Sequence, residues 1–145
     1  MSPFTVETPA AAVPPFTLAG KATFMDPAGI TPSNIVRVGD EAKIKIELET
    51  GGVFEPFLFG DAQWCAEAKF EGFGTDAEFI EGPVYEPITP GGPNNYTFYI
   101  PVPDTVAAGT YKVAVVVRII RAVPPNDPAP VVAMTELPLI QYYDV

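Results

Sequence analysis

The sequence predicts an all-β fold, an antiparallel β-sandwich of seven to nine short strands. Eighteen prolines and twelve glycines interrupt a chain of 145 residues, so long helices are disfavoured. Between these breaks, apolar and polar residues alternate with the period of two that marks a strand with one buried face. The strongest such run is 109–120, whose odd positions are one Tyr, three Val and one Ile after the first glycine. Short strands at this spacing are typical of a sandwich or a barrel, and we favour the sandwich.

The domain organisation predicted from composition is one domain with a short extension. Residues 1–15 hold four prolines and three consecutive alanines with no usable period, which indicates a flexible Pro/Ala-rich arm. The alternative is an arm that docks on a neighbour through Phe4 and Val6. Residues 16–145 show no repeat and no break in composition, so we expect a single β-sandwich domain.

The strands of the first half follow from alternation. Residues 16–25 form a first strand and 35–38 a short second one. Residues 41–50 alternate most cleanly, with Ala, Ile, Ile and Leu on one face and charged residues on the other. One dry and one wet face are expected in an antiparallel sheet. Residues 53–59 contain Pro56, which predicts an edge strand or a loop.

The second half is predicted in the same way. Residues 63–71 favour a strand, because the period of two holds throughout, although their Ala, Glu and Lys content makes a helix the competing interpretation. Pro124–Pro130 is read as a stiff loop. The remaining predicted strands are 77–80 and 84–88 with Gly82–Pro83 between them, 96–100, 109–120, and a last strand or pair at 131–134 and 137–145 interrupted by Pro138.

Two short motifs carry a resemblance to a known fold. The run 102–115, with Asp104, Gly109 and Tyr111 before an alternating strand, resembles the corner that precedes the sixth strand of immunoglobulin-like sandwiches. The run 38–46 is similar to the opening of the second strand in bacterial members, and Trp64 lies near the family's core tryptophan position. The resemblance implies a Greek-key sandwich in which the tyrosine hydroxyl bonds back to the corner. The chain departs from the family in having no cysteine pair, and the resemblance implies no particular function.

The distribution of charge and the composition of the first residues limit the classes of partner and the compartment that we expect. The net charge is −10, and residues 47–104 hold eleven acids against one base, Lys69. Nucleic-acid binding is therefore disfavoured, because phosphate contacts need a basic footprint. The acidic middle is expected either to steer a basic partner or to keep the protein soluble. Without a signal peptide, a membrane-length apolar run or a second cysteine, a chain that starts at Met1 is expected to be soluble and cytoplasmic.

The residues suited to catalysis are few. There is no histidine, only two serines, and a single cysteine, Cys65, which is interpreted as a small hydrophobe on a strand. The sequence therefore predicts a protein that is not an enzyme and carries no cofactor. A carboxylate-only enzyme is the weakest alternative, with Glu47 and Glu49, or Glu67 and Glu71, on one sheet face.

The leading prediction is a non-catalytic protein-interaction or structural assembly module that binds another protein or its own copies. Apolar residues on the supposedly wet face of the strongest strand suggest that the arm or a partner covers it, and a Pro-flanked aromatic cluster offers a second contact surface. The interaction candidates are Ala114, Val116, Ile120, Phe54, Phe57 and Phe59.

The second prediction is a sandwich that binds a small ligand or calcium. Calcium takes clustered oxygen ligands, and no loop here has the spacing of a calcium-binding loop, so the ligands would have to converge from several loops. The aspartates in predicted loops are Asp26, Asp40, Asp61, Asp76, Asp104 and Asp127.

Overall fold

A computed structural model describes residues 2–7, 17–27, 32–51, 62–74, 78–89, 94–122 and 128–144 of the chain. The fold in these ranges is all-β, with two sheets. None of the described residues belongs to a helix long and apolar enough to cross a membrane. The strands are β1 (Ser2–Pro3), β2 (Thr5–Glu7), β3 (Thr17–Met25), β4 (Ile35–Arg37), β5 (Ala42–Gly51), β6 (Ala62–Gly72), β7 (Glu78–Pro87), β8 (Asn95–Val102), β9 (Gly109–Arg121), β10 (Pro128–Glu136) and β11 (Ile140–Tyr143).

The smaller sheet has four antiparallel strands in the order β1-β3-β5-β8. Its centre is β5, whose apolar side chains are buried at every second position, as the sequence predicts. Ile46 lies opposite Ala22 of β3 on one side and Phe98 of β8 on the other. Residues directly opposite one another in neighbouring strands share a face, so these three side chains form one row of the core.

The larger sheet is built on β9, the strand that gives the strongest signal in the sequence. β6 pairs with β9 along one side for eleven residues, from Ala62–Arg121 to Gly72–Tyr111. β10 and β11 follow one another along its other side. β7 extends the sheet beyond β6, while β2 pairs with β10 and β4 runs parallel to β11.

One hydrophobic core joins the two sheets. The inward side chains of β9 at Tyr111, Val113, Val115, Val117 and Ile119 are at most 1% exposed. Aromatic pairs cross between the sheets: Trp64 meets Tyr96 with ring centroids 5.7 Å apart, and Phe24 meets Phe70 at 6.4 Å. Such pairs add about 0.5–1.5 kcal/mol to the stabilisation that comes from burial alone.

Residues 62–72 form a strand rather than the competing helix. Trp64, Ala66, Ala68 and Phe70 are fully buried on one side of β6. A helix would have distributed these four residues around its axis, whereas the period of two keeps them together against the core.

The structure differs from the predicted strands at β7. The two short strands predicted around Gly82–Pro83 are one continuous strand, Glu78–Pro87, with a shift in register between Ala66 and Ala68 of β6. Gly82 has a φ of +95°, and a Cβ there would lie 2.8 Å from the carbonyl oxygen of Ala66. Glycine tolerates both conditions, so the strand bulges where the sequence indicates a break.

Two further segments differ from their sequence interpretation. Pro128–Pro130, placed in a loop, begins β10, while residues 137–139 separate β10 from β11 near the predicted interruption at Pro138. Residues 2–7, placed in the arm, form β1 and β2 at the edges of the two sheets, and Phe4 packs against the core. Residues 8–16 and the predicted segment 53–59 lie outside the described residues.

Candidate functional site

The outer face of the larger sheet contains the sequence-predicted candidates that the structure describes. We define the outer face as the side chains of β6, β7, β9 and β10 that point away from the core. These side chains lie opposite one another in neighbouring strands, on the same side of the sheet as the candidates. Its members are Gln63, Cys65, Glu67, Lys69, Glu71, Glu78, Ile80, Tyr85, Pro87, Lys112, Ala114, Val116, Arg118, Ile120, Val132, Met134 and Glu136.

The predicted interaction residues differ in how much surface they present. Ala114 and Val116 are half-buried, whereas Ile120 is only 8% exposed and offers little area to a partner. Phe54, Phe57 and Phe59 lie outside the described part of the chain.

The structure adds apolar residues that the sequence analysis did not select. Met134 lies directly opposite Val116 and is 53% exposed, and Tyr85 lies opposite Cys65 and is also 53% exposed. Together with Val132 these residues form what we call the apolar patch. Only the pairing of β10 and β7 with their neighbours reveals it, because each strand contributes one or two residues from a different part of the chain.

Charged residues lie within and around the apolar patch as ion pairs. One of these pairs, Arg118 with Glu67, separates Tyr85 and Cys65 from Val116 and Met134. Arg118 Nη2 lies 3.3 Å from Glu67 Oε1, and Lys112 Nζ lies 2.9 Å from Glu136 Oε1. Lys69 Nζ lies 2.8 Å from Glu78 Oε1 and 3.4 Å from Glu71 Oε1. Three cations therefore face four acids, and the outer face carries about one of the ten net negative charges of the chain.

These ion pairs also stabilise the charged form of the lysines. Hydrogen bonding to Glu78, and then to Glu71, raises the pKa of Lys69, while hydrogen bonding to Glu136 raises the pKa of Lys112. Because both lysines remain in contact with water, such pairs contribute little to folding. Their effect is to leave few uncompensated charges on the outer face.

The opposite sheet presents a more polar surface. Its exposed side carries Lys45, 3.7 Å from Glu47, and Lys43, whose ammonium lies 5.6 Å from the centroid of the Tyr99 ring. A shallow concavity of ≈ 730 Å³ lies at its end, beside Pro3 and Thr97. Its lining includes the charged residues Lys21, Glu47 and Glu49, and none of the sequence-predicted interaction residues that the structure describes.

The residues considered for catalysis and calcium are dispersed. Glu47, Glu67 and Glu71 each form an ion pair on a sheet surface. Within the described ranges no three acidic, cysteine or histidine residues come together in an arrangement that could hold a metal ion. Of the six loop aspartates, Asp61, Asp76 and Asp127 lie outside those ranges.

The cysteine lies on the outer face but is nearly inaccessible. Cys65 is 5% exposed, between the register partners Arg118 and Tyr85. It contributes to packing, as the sequence interpretation expects of a small hydrophobe.

The sequence matches no protein-family model and no curated protein. The function proposed for the chain therefore rests on its surfaces.

Proposed function

We propose that this chain is a non-catalytic interaction module of the assembly type, and that its apolar patch binds the same patch of a second copy. The observation that carries the proposal is the pair of exposed residues Met134 and Tyr85, which flank half-buried Val116 and nearly buried Cys65. Exposed apolar residues that are grouped on neighbouring strands mark contact surfaces, and here they lie on both sides of the Arg118–Glu67 ion pair.

The size of the outer face suits a dimer. Four strands about 4.8 Å apart and about 30 Å long cover roughly 600 Å². A standard protein interface buries about 800 Å² on each partner, so the outer face and its rim supply nearly the required area.

Charge favours a second copy over a strongly basic partner. The chain carries a net charge of −10, yet the three cations and four acids of the outer face nearly cancel. Two copies can therefore approach through this face without strong repulsion. A two-fold axis would pair each patch with its equivalent, which is the commonest symmetry of soluble oligomers.

We further propose that the two sheets form an immunoglobulin-like Greek-key sandwich. Support comes from the corner before β9, where the Tyr111 hydroxyl donates a hydrogen bond of 2.7 Å to the Ala107 carbonyl four residues upstream. Further support comes from Trp64, fully buried on β6 against Tyr96. Strands β7-β6-β9-β10 on one side and β3-β5-β8 on the other are compatible with that arrangement.

The proposed assembly is tested by placing charge on the apolar patch. Met134→Glu and Val116→Glu should convert a species near twice 15.5 kDa into a monomer. Leu139→Glu is the matched control, because Leu139 is also 53% exposed but lies between β10 and β11, outside the patch. Sedimentation equilibrium measures mass, and circular dichroism verifies the β fold of every variant.

The outcomes separate the alternatives. Dissociation by Met134→Glu but not by Leu139→Glu supports the proposal. A wild-type protein that stays monomeric at every concentration overturns self-association, and an oligomer unaffected by both patch variants places the interface elsewhere and also overturns it. Met134→Glu keeps the test decisive if Val116→Glu fails to fold, because Met134 is exposed before association.

A further inference from the structure

A cleft of ≈ 330 Å³ opens where β7 meets the loop before β9. Its lining consists of Phe79 and Glu81 from β7, the loop residues Thr105, Val106 and Ala107, and the ring of Tyr111. The volume is at the lower end of the range of about 300–1,000 Å³ for ligand pockets. The cleft lies on the core side of β7, so it is separate from the outer face.

Glu81 brings an uncompensated charge to this cleft. It lies opposite fully buried Ala68 and is itself half-buried. Within the described ranges Glu81 has neither an ion pair nor a hydrogen bond, unlike Glu78 on the same strand, which pairs with Lys69. Burial raises the pKa of Glu81, because the charged carboxylate loses hydration there.

Aromatic rings form the apolar side of the cleft. The Phe79 ring stacks on Phe70 with centroids 4.6 Å apart and meets Tyr111 at 5.9 Å and 69°. The Tyr111 hydroxyl is bonded to Ala107 and the residue is only 1% exposed, so its ring supports Phe79 from the core side of the cleft. The ring centroid of Tyr142 lies 5.8 Å from that of Tyr111.

The electrostatics of this region favour positive charge. Burial raises the pKa of Tyr142, and the neighbouring Tyr111 and the charge of Glu81 raise it further. Among the described residues, the cleft lining includes no lysine or arginine. A carboxylate without a counter-ion therefore shares the cleft with the half-buried Phe79 ring, and aromatic rings attract cations through their negative π-faces.

We propose that this cleft binds one organic ammonium or guanidinium cation, with Glu81 as counter-ion and half-buried Phe79 as the aromatic wall, held in place by Phe70 and Tyr111. An anionic ligand would be repelled by Glu81, and a neutral one would leave the carboxylate desolvated and unpaired. Calcium needs about six to eight oxygen ligands, and the cleft supplies one carboxylate. The cation is either a free amine or a lysine or arginine side chain of another protein.

The first experiment compares a cation with its uncharged isostere. Choline and 3,3-dimethylbutanol have nearly the same shape and differ in charge. Each is titrated into the isotope-labelled full chain while amide chemical shifts are recorded. We expect choline to shift the amides of 79–81 and 105–111 and to bind at least about tenfold more tightly than the alcohol. Equal binding of the two, or no shifts up to about 50 mM choline, overturns the proposal.

The second experiment removes the counter-ion. Glu81→Gln keeps the size of the side chain and should weaken choline binding at least about tenfold. Glu86→Gln is the matched control, since Glu86 is half-buried on the same strand but does not line the cleft. Equal losses in both variants would mean that choline responds only to the acidity of the protein, and would refute the assignment.

A stability measurement distinguishes lost binding from lost folding. Without choline, Glu81→Gln should melt at a higher temperature than wild type, because it removes a desolvated carboxylate. With saturating choline this advantage should shrink, because the ligand stabilises only the wild-type protein. A Glu81→Gln variant that melts lower without ligand contradicts the inferred unpaired charge.

The source of the cation is resolved by a third comparison. A capped peptide with one central arginine that binds more than about tenfold more tightly than arginine amide points to a protein side chain. Similar affinities point to a free small molecule. Met134→Glu should leave cation binding unchanged, so failure of this proposal is distinguishable from failure of the proposed self-association.

Discussion

Removing the hydroxyl groups of two neighbouring tyrosines should change the free energy of unfolding in opposite directions. Tyr111 and Tyr142 are 1% and 2% exposed, and their ring centroids lie 5.8 Å apart. The Tyr111 hydroxyl donates a 2.7 Å hydrogen bond to the carbonyl of Ala107. The Tyr142 hydroxyl is buried and has no hydrogen-bond partner within the described structure. The same substitution, tyrosine to phenylalanine, therefore removes a hydrogen bond at Tyr111 and removes a buried hydroxyl without a partner at Tyr142.

The expected magnitudes follow from that difference. A hydrogen bond contributes about 0.5–1.5 kcal/mol net, and Ala107 is exposed, so water can reach its carbonyl after the change. We expect Tyr111→Phe to destabilise the fold by about 1 kcal/mol, equivalent to about 4 °C in Tm for a chain of this length. Tyr142→Phe removes a buried unpaired hydroxyl and should stabilise by about 1 kcal/mol.

Urea denaturation measures both changes. The fluorescence of Trp64, the single tryptophan and fully buried, reports unfolding in all variants. The slope of free energy against urea should be unchanged, because neither variant alters the surface exposed on unfolding. A Tyr111→Phe variant as stable as wild type, or a Tyr142→Phe variant less stable than wild type, would refute the reasoning from hydroxyl partners.

Three further predictions concern titration, packing and backbone. Burial holds the pKa of Tyr142 above its ordinary value, so above about pH 10 the tyrosine ionises more readily in the unfolded chain than in the fold. The free energy of unfolding should therefore fall as the pH rises above about 10. Melting temperatures measured across this pH range should fall less in Tyr142→Phe than in wild type. Phe70→Ala should cost about 3–5 kcal/mol in urea denaturation, whereas Phe73→Ala, at a ring 56% exposed, should stay within about 0.5 kcal/mol. Gly82→Ala should destabilise by more than Gly39→Ala, since both have a φ of +95° but only at Gly82 would the added Cβ meet neighbouring backbone; equal melting temperatures would contradict this.

The alternation of apolar residues was sufficient to predict the main strands. β5 and β9 bury the faces that their sequences mark, and residues 62–72 are a strand as the period of two indicates. Alternation is a local property that the chain expresses wherever one side of a strand meets a core. The all-β fold is confirmed for this reason, while the immunoglobulin-like arrangement stays a prediction.

The residues of the candidate site were predicted from the sequence only in part. Val116 was identified because an apolar residue stood where alternation expects a polar one. Met134 and Tyr85 were not, because nothing near them in sequence indicates that they join the same surface. Glu81 was missed for a related reason, since an acid on an edge strand resembles any solvated acid until the loop beside it is placed.

Composition and local pattern predict the main strands, such as β5 and β9, and the buried face of each, because both properties depend on residues within a few positions of one another. Pairing between strands is different, because it brings together residues far apart along the chain. The tertiary structure joins Met134 of β10 to Val116 of β9, continues β7 through Gly82, and brings Glu81 beside the ring of Tyr111. These long-range neighbours create the apolar patch and the cleft, and their formation depends on the packing of the whole core.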